Sequence, residues 1–581
     1  NVSNIPNVGF VIIMLETTQS IFFTKAAQWA HKPRFMIQEN GQWKPILWSE
    51  YREQVELVAY ALNSLGIKPG NKVGIFSQNS LEWIYAGLGI TTAQAVLVPI
   101  YHNSTPDMAG YIVNHGDLQL LFVQNLFIFD SLISAGSKFP LLKYVVLIEG
   151  DSKENRNGLK FFNLDDLYHL GENHRDSHPH LIEKLVETTT EEMVAQMLYT
   201  SGTTGRPKGV PLTYGNLIAS TNDWLAINGP LVSPDSVDLH WLPNAHIFGW
   251  GSLGLGNILG FTSYLTNPLE VLKLMPEIKP HLFMSVPAYF EKLYQLSVTS
   301  SESKNKQIET LQQLMGGRIT FLLSGGAGLK REVKEFFLKA KMWITEGYGL
   351  TECSPTLTMN RHDDFNFDSV GKPYPCVNLK LAEDGEILAR GPVIFQGYYK
   401  DPVATSEVFT EDGWFKTGDV GQWMNDGFLK IMGRKKDIIV TSGGKNIPPE
   451  NIELRFKDDP YIEHLVVYGD GKKYLVAVVT LGCHVIESWA KENGIPFESW
   501  EELCTMSAVK TMVQDSINRV NSELSSFETI KYFRIVPENF TPLNGLLTSS
   551  LKVKRKKVYQ RYETILEELY RERPVLLQEK G

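Results

Sequence analysis

From Trp48 onward, amphipathic helical stretches alternate with short apolar runs, and this alternation limits the possible folds more than any other feature. Lys72–Phe76, Ala95–Ile100, Leu118–Val123 and Tyr144–Ile148 read as strands, with Glu50–Leu65 and Leu81–Gln94 as helices between them. A strand apolar on both faces needs cover on both sides, and helical crossovers supply it, so parallel sheets coated by helices are expected. The pattern resumes at Val194–Tyr199, Leu282–Val286, Ile319–Ser324 and Met342–Thr345, which calls for two sheet layers in one large α/β domain. Asp151–Gly158 and Gly171–His180 are polar and turn-rich and read as surface loops. From Glu383 the texture changes to short strands joined by Asp-Gly turns, the signature of a small antiparallel, barrel-like part. After Lys436 a compact α+β texture begins, with strands at Leu465–Tyr468 and Leu475–Val479 and a helix at Lys510–Leu524. A boundary near Arg434–Asp437 divides residues 14–435 from a smaller unit, 436–581.

Composition sets outer limits on function. The 581 residues carry 56 Lys+Arg against 65 Asp+Glu, so the net charge of −9 gives no global pull toward nucleic acid, and none is expected as a partner. The 4 cysteines have no metal or CxxC spacing, a reduced cytoplasmic pattern. Val8–Leu15 is apolar but far short of the ~20 residues a membrane span needs, and residues 1–13 read as upstream sequence ahead of Met14.

Three loops at predicted strand ends invite a polyphosphate or nucleotide. Thr200, Ser201, Gly202, Thr203, Thr204, Gly205 and Lys208 follow the first; glycines admit an anion to the backbone N–H groups, while hydroxyls and the lysine add donors. This is not a Walker A loop, which would need Gly in place of Pro207 and Ser or Thr in place of Gly209. In the second, Tyr348 between Gly347 and Gly349 can stack on a base, with Thr351 as a phosphate donor and Glu352 as a metal-seeking carboxylate. The third holds Gly325, Gly326 and Ala327. Open α/β sheets bind ligands at the carboxyl ends of their strands, where all three loops fall. Asp419 can accept ribose hydroxyls and Arg434 can hold an oxygen anion.

Taken together and in order, Tyr199–Val210, Tyr348–Glu352, Trp414–Asp419 and Gly433–Asp437 resemble the adenylate-forming, AMP-binding superfamily over Phe22 to Tyr570. The resemblance implies a large N-terminal domain, a small mobile C-terminal domain and an active site between them. It implies ATP-dependent activation of a carboxylate to an acyl-adenylate, with release of pyrophosphate and then transfer to a thiol. Residue by residue, it puts Thr200, Ser201, Thr203, Thr204 and Lys208 on the β- and γ-phosphates, and Tyr348 on adenine beside Gly325, Gly326 and Ala327. Thr351 goes to the α-phosphate, Glu352 to Mg²⁺, and Asp419 to the ribose with Arg434 nearby. Lys552, in Leu547–Arg555, becomes the catalytic lysine between carboxylate and α-phosphate. Leu551 stands where the superfamily at large has a small residue. Lys436 becomes the hinge, and Gly443 the point where backbone meets the pantetheine arm after rotation. His246, within Trp241–Trp250, falls near the acyl carboxylate, with Trp241, Phe248 and Trp250 either core or tunnel gate.

Gly433–Glu453 and the tail Leu551–Tyr570 look like long-chain fatty acyl-CoA synthetases, so the leading expectation is a long-chain fatty acid–CoA ligase. The alternatives are an acyl-ACP synthetase loading a carrier-protein phosphopantetheine, and a catalytically silent fatty-acid binder. Against the silent binder stand Lys208, Glu352, Asp419, Arg434 and Lys552, charges a mere binder does not need. Expected partners are a fatty acid, ATP, Mg²⁺ and CoA or acyl carrier protein, with room left for a homodimer. The basic run from 552 to 561 leaves room for peripheral contact with the inner face of a membrane, beside the plainer reading of a solvated helix.

Overall fold

The computed structural model describes residues 17–151, 155–156, 158–200, 206–457, 459–548 and 551–571. Its first layer is a seven-stranded sheet ordered Lys160–Asn163, Tyr144–Leu147, Leu118–Val123, Lys72–Phe76, Val96–Ile100, Val194–Thr200 and Lys208–Thr213. Six strands run parallel and the last is antiparallel to its neighbour. The second layer is a nine-stranded sheet whose parallel centre includes Val237–His240, Leu282–Ser285, Phe321–Ser324 and Ile344–Tyr348. The helix Ile247–Leu259 carries Trp250 against Trp83 of the helix Leu81–Thr92, so it packs both layers together.

The strands Asn378–Leu381, Glu386–Arg390, Phe415–Trp423 and Leu429–Arg434 form the small antiparallel sheet. Asp426 and Gly427, both at positive φ, make the tight turn between the last two. Beyond it lies a three-stranded sheet, Ile462–Tyr468, Leu475–Leu481 and Ile530–Ile535, with its own apolar core of Ile486, Val513 and Ile517. The chain is thus α/β with two sheet layers, a small antiparallel part and a separate α+β unit.

Gly171–His180 is not a surface loop: the helix Leu164–Ser177 takes in most of it. Its polar residues face solvent, while Gly171 is buried against the helix Trp48–Ser64; a Cβ there would lie 2.3 Å from the Leu57 carbonyl oxygen. The apparent turn signal of that glycine is a requirement for close helix packing.

Candidate active site

A cavity of about 1230 Å³ opens where the carboxyl ends of both sheets meet the C-terminal unit. Thr200 and Lys208 reach it from the hairpin Val194–Thr200/Lys208–Thr213. The chain therefore enters its next helix, Tyr214–Asn228, only after a strand, not straight from the loop. Ser201, Gly202, Thr203, Thr204 and Gly205 lie outside the described residues. The Lys208 ammonium stands 4.7 Å from the ring centroid of Tyr398, whose hydroxyl donates to Glu352 at 3.0 Å.

Gly325, Gly326 and Ala327 follow the strand Phe321–Ser324, and Phe248 packs beside Gly325. Tyr348 closes the next strand, followed by Gly349 and a short turn of helix with Thr351 and Glu352, all on the cavity wall. The Tyr348 hydroxyl donates to Asp419 at 2.6 Å, and Arg434 pairs with the same carboxylate at 2.9 Å. Antiparallel register makes Asp419 and Arg434 direct cross-strand partners, which explains how two motifs so spaced converge. Burial pushes the Asp419 carboxyl upward, with Arg434 pulling it back. Burial also raises that of Glu352, against a hydrogen bond from its own backbone N–H, then Tyr398, Arg434 and Lys208.

His246 is the N-cap of the helix Ile247–Leu259, its Nδ1 accepting from the Phe248 N–H at 3.1 Å. Burial, reinforced by Lys552, lowers its pKa to about 4, so it is neutral near pH 7. Beyond it the cavity turns apolar along Trp250, Leu255 and Ile258 of this helix and Leu88, Leu217 and Trp224 opposite. Gly251 and Gly254 line it too, and a Cβ at either would meet open space. Trp241 is a buried core residue packed at a tilt against Tyr289, away from the cavity wall; Phe248 and Trp250 line it.

The C-terminal unit reaches in with Lys552, whose ammonium donates to the Gly326 carbonyl at 3.3 Å. Its turn is held by reciprocal hydrogen bonds: Thr548 N–H to the Lys552 carbonyl, and Lys552 N–H to the Thr548 hydroxyl, at 2.8 and 3.0 Å. Leu551, at φ 60°, makes that turn. Burial lowers the Lys552 pKa, helped by Arg434 and opposed by Glu450 and Asp419. Lys457 also crosses to the N-terminal domain, pairing with buried Glu291 at 3.0 Å. Lys436 is on the cavity rim; Gly443 lies in the turn between Ile439–Val440 and Asn446–Ile447, off the wall.

Several participants carry no motif. Tyr398 lies in a bare Gly-Tyr-Tyr, Glu450 faces the cavity from Pro449–Glu453, and Lys435 pairs with Glu386 at 2.7 Å just ahead of Lys436. For Tyr398 the only sequence signal was a paired tyrosine after a glycine.

The sequence pattern of AMP-binding enzymes matches residues 22–399, and that of the AMP-binding enzyme C-terminal domain matches 436–574. The chain belongs to the AMP-binding enzyme family. Within it, the chain is 32% identical to the long-chain-fatty-acid–CoA ligase FadD15 of Mycobacterium bovis, over 91% of this chain and 93% of that protein. It is 33% identical to the peroxisomal long chain acyl-CoA synthetase 6 of Arabidopsis thaliana (87% and 79% covered) and 30% to human long-chain-fatty-acid–CoA ligase 1 (91% and 83%). The family fold recurs in the adenylation domain of a carboxylate reductase from Mycobacterium chelonae, at TM-score 0.76, 19% identity and coverage of 98% and 92%. The corresponding domain from Segniliparus rugosus, solved with AMP and a co-purified carboxylic acid, matches at TM-score 0.73 and 20% identity, covering 96% and 94%.

Proposed function

We infer that this chain is a long-chain fatty acid–CoA ligase, forming acyl-AMP and pyrophosphate from a fatty acid and ATP, then acyl-CoA and AMP. The observation that carries the reading is that one cavity is charged around Lys208, Glu352, Arg434 and Lys552 and lined past His246 by Trp250, Leu255 and Ile258. A carboxylate seated at the junction would have its tail in the apolar arm and its head against the lysine.

In the first step a carboxylate oxygen attacks the α-phosphorus and the bond to the β-phosphate oxygen breaks. Lys552 bridges the attacking oxygen and the α-phosphate, and its charge offsets the negative charge gathering there. Thr351 donates to the α-phosphate, Lys208 and its loop hold the outer phosphates, and neutral His246 borders the acyl carboxylate. Tyr348 stacks on adenine and Asp419 accepts the ribose hydroxyls. Glu352 suits Mg²⁺, which commonly takes one or two carboxylates and otherwise phosphate and water oxygens. The ion's contribution is to neutralise phosphate charge.

In the second step the thiol sulfur attacks the acyl carbon and the bond to AMP breaks. Rotation about Lys436 between residues 14–435 and 436–581 would withdraw Lys552 and bring in Gly443. Acyl carrier protein offers the same thiol and is the competing acceptor. For a peripheral membrane contact the basic run offers the exposed Lys556 and Lys557, while Arg555 is paired with Glu453 and Arg561 with Glu538. No described helix is long and apolar enough to cross a membrane.

The deciding assay supplies Mg-ATP and acids from acetate to oleate, following pyrophosphate and thioester separately with CoA or holo-carrier protein. Palmitate- or oleate-dependent acyl-CoA is expected. Transfer to carrier protein alone would replace CoA as acceptor, and absence of adenylation of any acid would overturn the reading.

A further inference from the structure

A second cavity, of about 340 Å³, lies at the amino ends of Lys72–Phe76, Val96–Ile100 and Val194–Thr200. The phosphate loop leaves the opposite, carboxyl end of the last of these strands. Val96, Met193, Val194, Met197 and Pro211 give the cavity mostly apolar walls, with Gln94, Lys72 and Tyr399 also lining it. The Lys72 ammonium lies 4.8 Å from the Tyr399 ring centroid and makes no ion pair among the described residues. The acid nearest in influence, Asp117, is already held by Lys400 at 2.6 Å and by the Tyr399 hydroxyl at 2.7 Å. The volume falls at the lower end of the roughly 300–1,000 Å³ typical of small-molecule sites. Apolar walls with one uncompensated cation select an apolar body bearing a single negative charge.

The small cavity is wired to the large one. Gly209, next to Lys208, is packed without slack: a Cβ there would lie 3.2 Å from both the Met197 sulfur and the Tyr399 Cβ. The Tyr399 N–H donates to the Gly209 carbonyl at 2.9 Å. Its neighbour Tyr398 faces the other way, onto Glu352 and Lys208. The dipeptide Tyr398–Tyr399 thus sets one ring in each cavity. Close-packed interiors transmit displacement, so a molecule pressing on Met197 and Tyr399 shifts Gly209, and with it Lys208.

We propose that the second cavity is an effector site for a small apolar monocarboxylate, whose binding weakens the chain's hold on ATP. Such an effector would be a short relative of the substrate, sensed apart from the acyl arm.

The test uses the full chain saturated with palmitoyl-sulfamoyl-adenosine, a non-hydrolysable acyl-adenylate mimic that fills the acyl and AMP positions. Binding of the mimic is measured first and reports separately on the ligase reading. Octanoate is then titrated calorimetrically. One further equivalent is expected to bind, weakened about tenfold or more by Lys72→Met, the worth of a charge-assisted contact. Val194→Phe, which fills the cavity and keeps the charge, should abolish that binding, and both variants should activate palmitate normally without octanoate. Octanoate should raise the KM for ATP at least about fivefold in the wild type and in neither variant. No additional equivalent, or equal affinity in Lys72→Met, would overturn the site; binding with an unchanged KM for ATP would overturn the coupling. If the mimic itself does not bind, the ligase reading falls, and the Lys72→Met comparison on the unliganded chain still decides the cavity.

Discussion

The Lys552 ammonium donates to the carbonyl of Gly326, so a residue of the C-terminal unit closes over a loop of the N-terminal domain. Under the proposed mechanism, that contact corresponds to the unit docked for the first half-reaction. Lys552→Ala should lower adenylation about a hundredfold or more, in the range seen when one transition-state donor is removed. Thioester formation from supplied acyl-AMP should persist, and pyrophosphate exchange against a single-turnover thiolation assay separates the two. Equal loss of both would remove Lys552 from its proposed role.

Lys436→Pro should have the opposite profile. Lys435 is tied to Asp384 and Glu386, and the turn through position 436 is closed by Asp437 and Ile438 donating to the Arg434 carbonyl, so the proposed rotation would have to open that turn. Fixing φ there should retain adenylation and depress thioester formation. Unimpaired acyl-CoA production by the variant would move the hinge elsewhere.

Adenylation should also fall at high pH sooner than an ordinary lysine dictates. Burial and Arg434 lower the Lys552 pKa, so the ammonium is lost as pH rises through a value below 10.5. Glu450 opposes that shift, so Glu450→Gln should move the alkaline limb to still lower pH. His246, with its pKa near 4, should add no limb above pH 5. A limb unmoved in Glu450→Gln would uncouple the two groups.

Acyl-chain length should respond to Gly254. A side chain there projects into open space on the apolar arm, so Gly254→Phe should shift preference from palmitate toward shorter acids, chiefly through KM. Unchanged selectivity across a graded acid series would place the tail elsewhere.

Stability offers a further check at Lys334 and Glu346, a 2.6 Å ion pair with both side chains only 4% exposed. Glu346 also accepts from the Leu329 N–H, two residues before Tyr348. Lys334→Met would strand a buried carboxylate and cost about 3–5 kcal/mol. Thermal unfolding should show it, with recovery in the double variant Lys334→Met, Glu346→Leu.

Strands buried on both faces were readable because their apolar runs are nearly continuous: Leu118–Val123, broken only by Gln119, was found at its true limits. Other strands of the nine-stranded sheet were hidden by buried polar residues. Arg34 interrupts the strand Pro33–Glu39, and its charge is absorbed by Asn257, Ser263 and the carbonyls of Leu253 and Phe261, contacts that exist only after folding. The motif residues of the site were legible because each loop carries its own composition signal. Tyr398 and Glu450 were not, since a tyrosine or a glutamate gains meaning only from what tertiary packing brings opposite it.

The ion pair between Lys457 and Glu291 bears on kinetic order. The proposed rotation would part Lys457 from a carboxylate that is 5% exposed and leave it unpaired, so departure from the docked posture would be uphill until something offsets it. Acyl-AMP formation, which discharges pyrophosphate and would end the proposed need for Lys552, is the event placed to tip that balance. Under the proposed rotation, an enzyme held this way should take ATP and acid before the thiol, with its first move enforced.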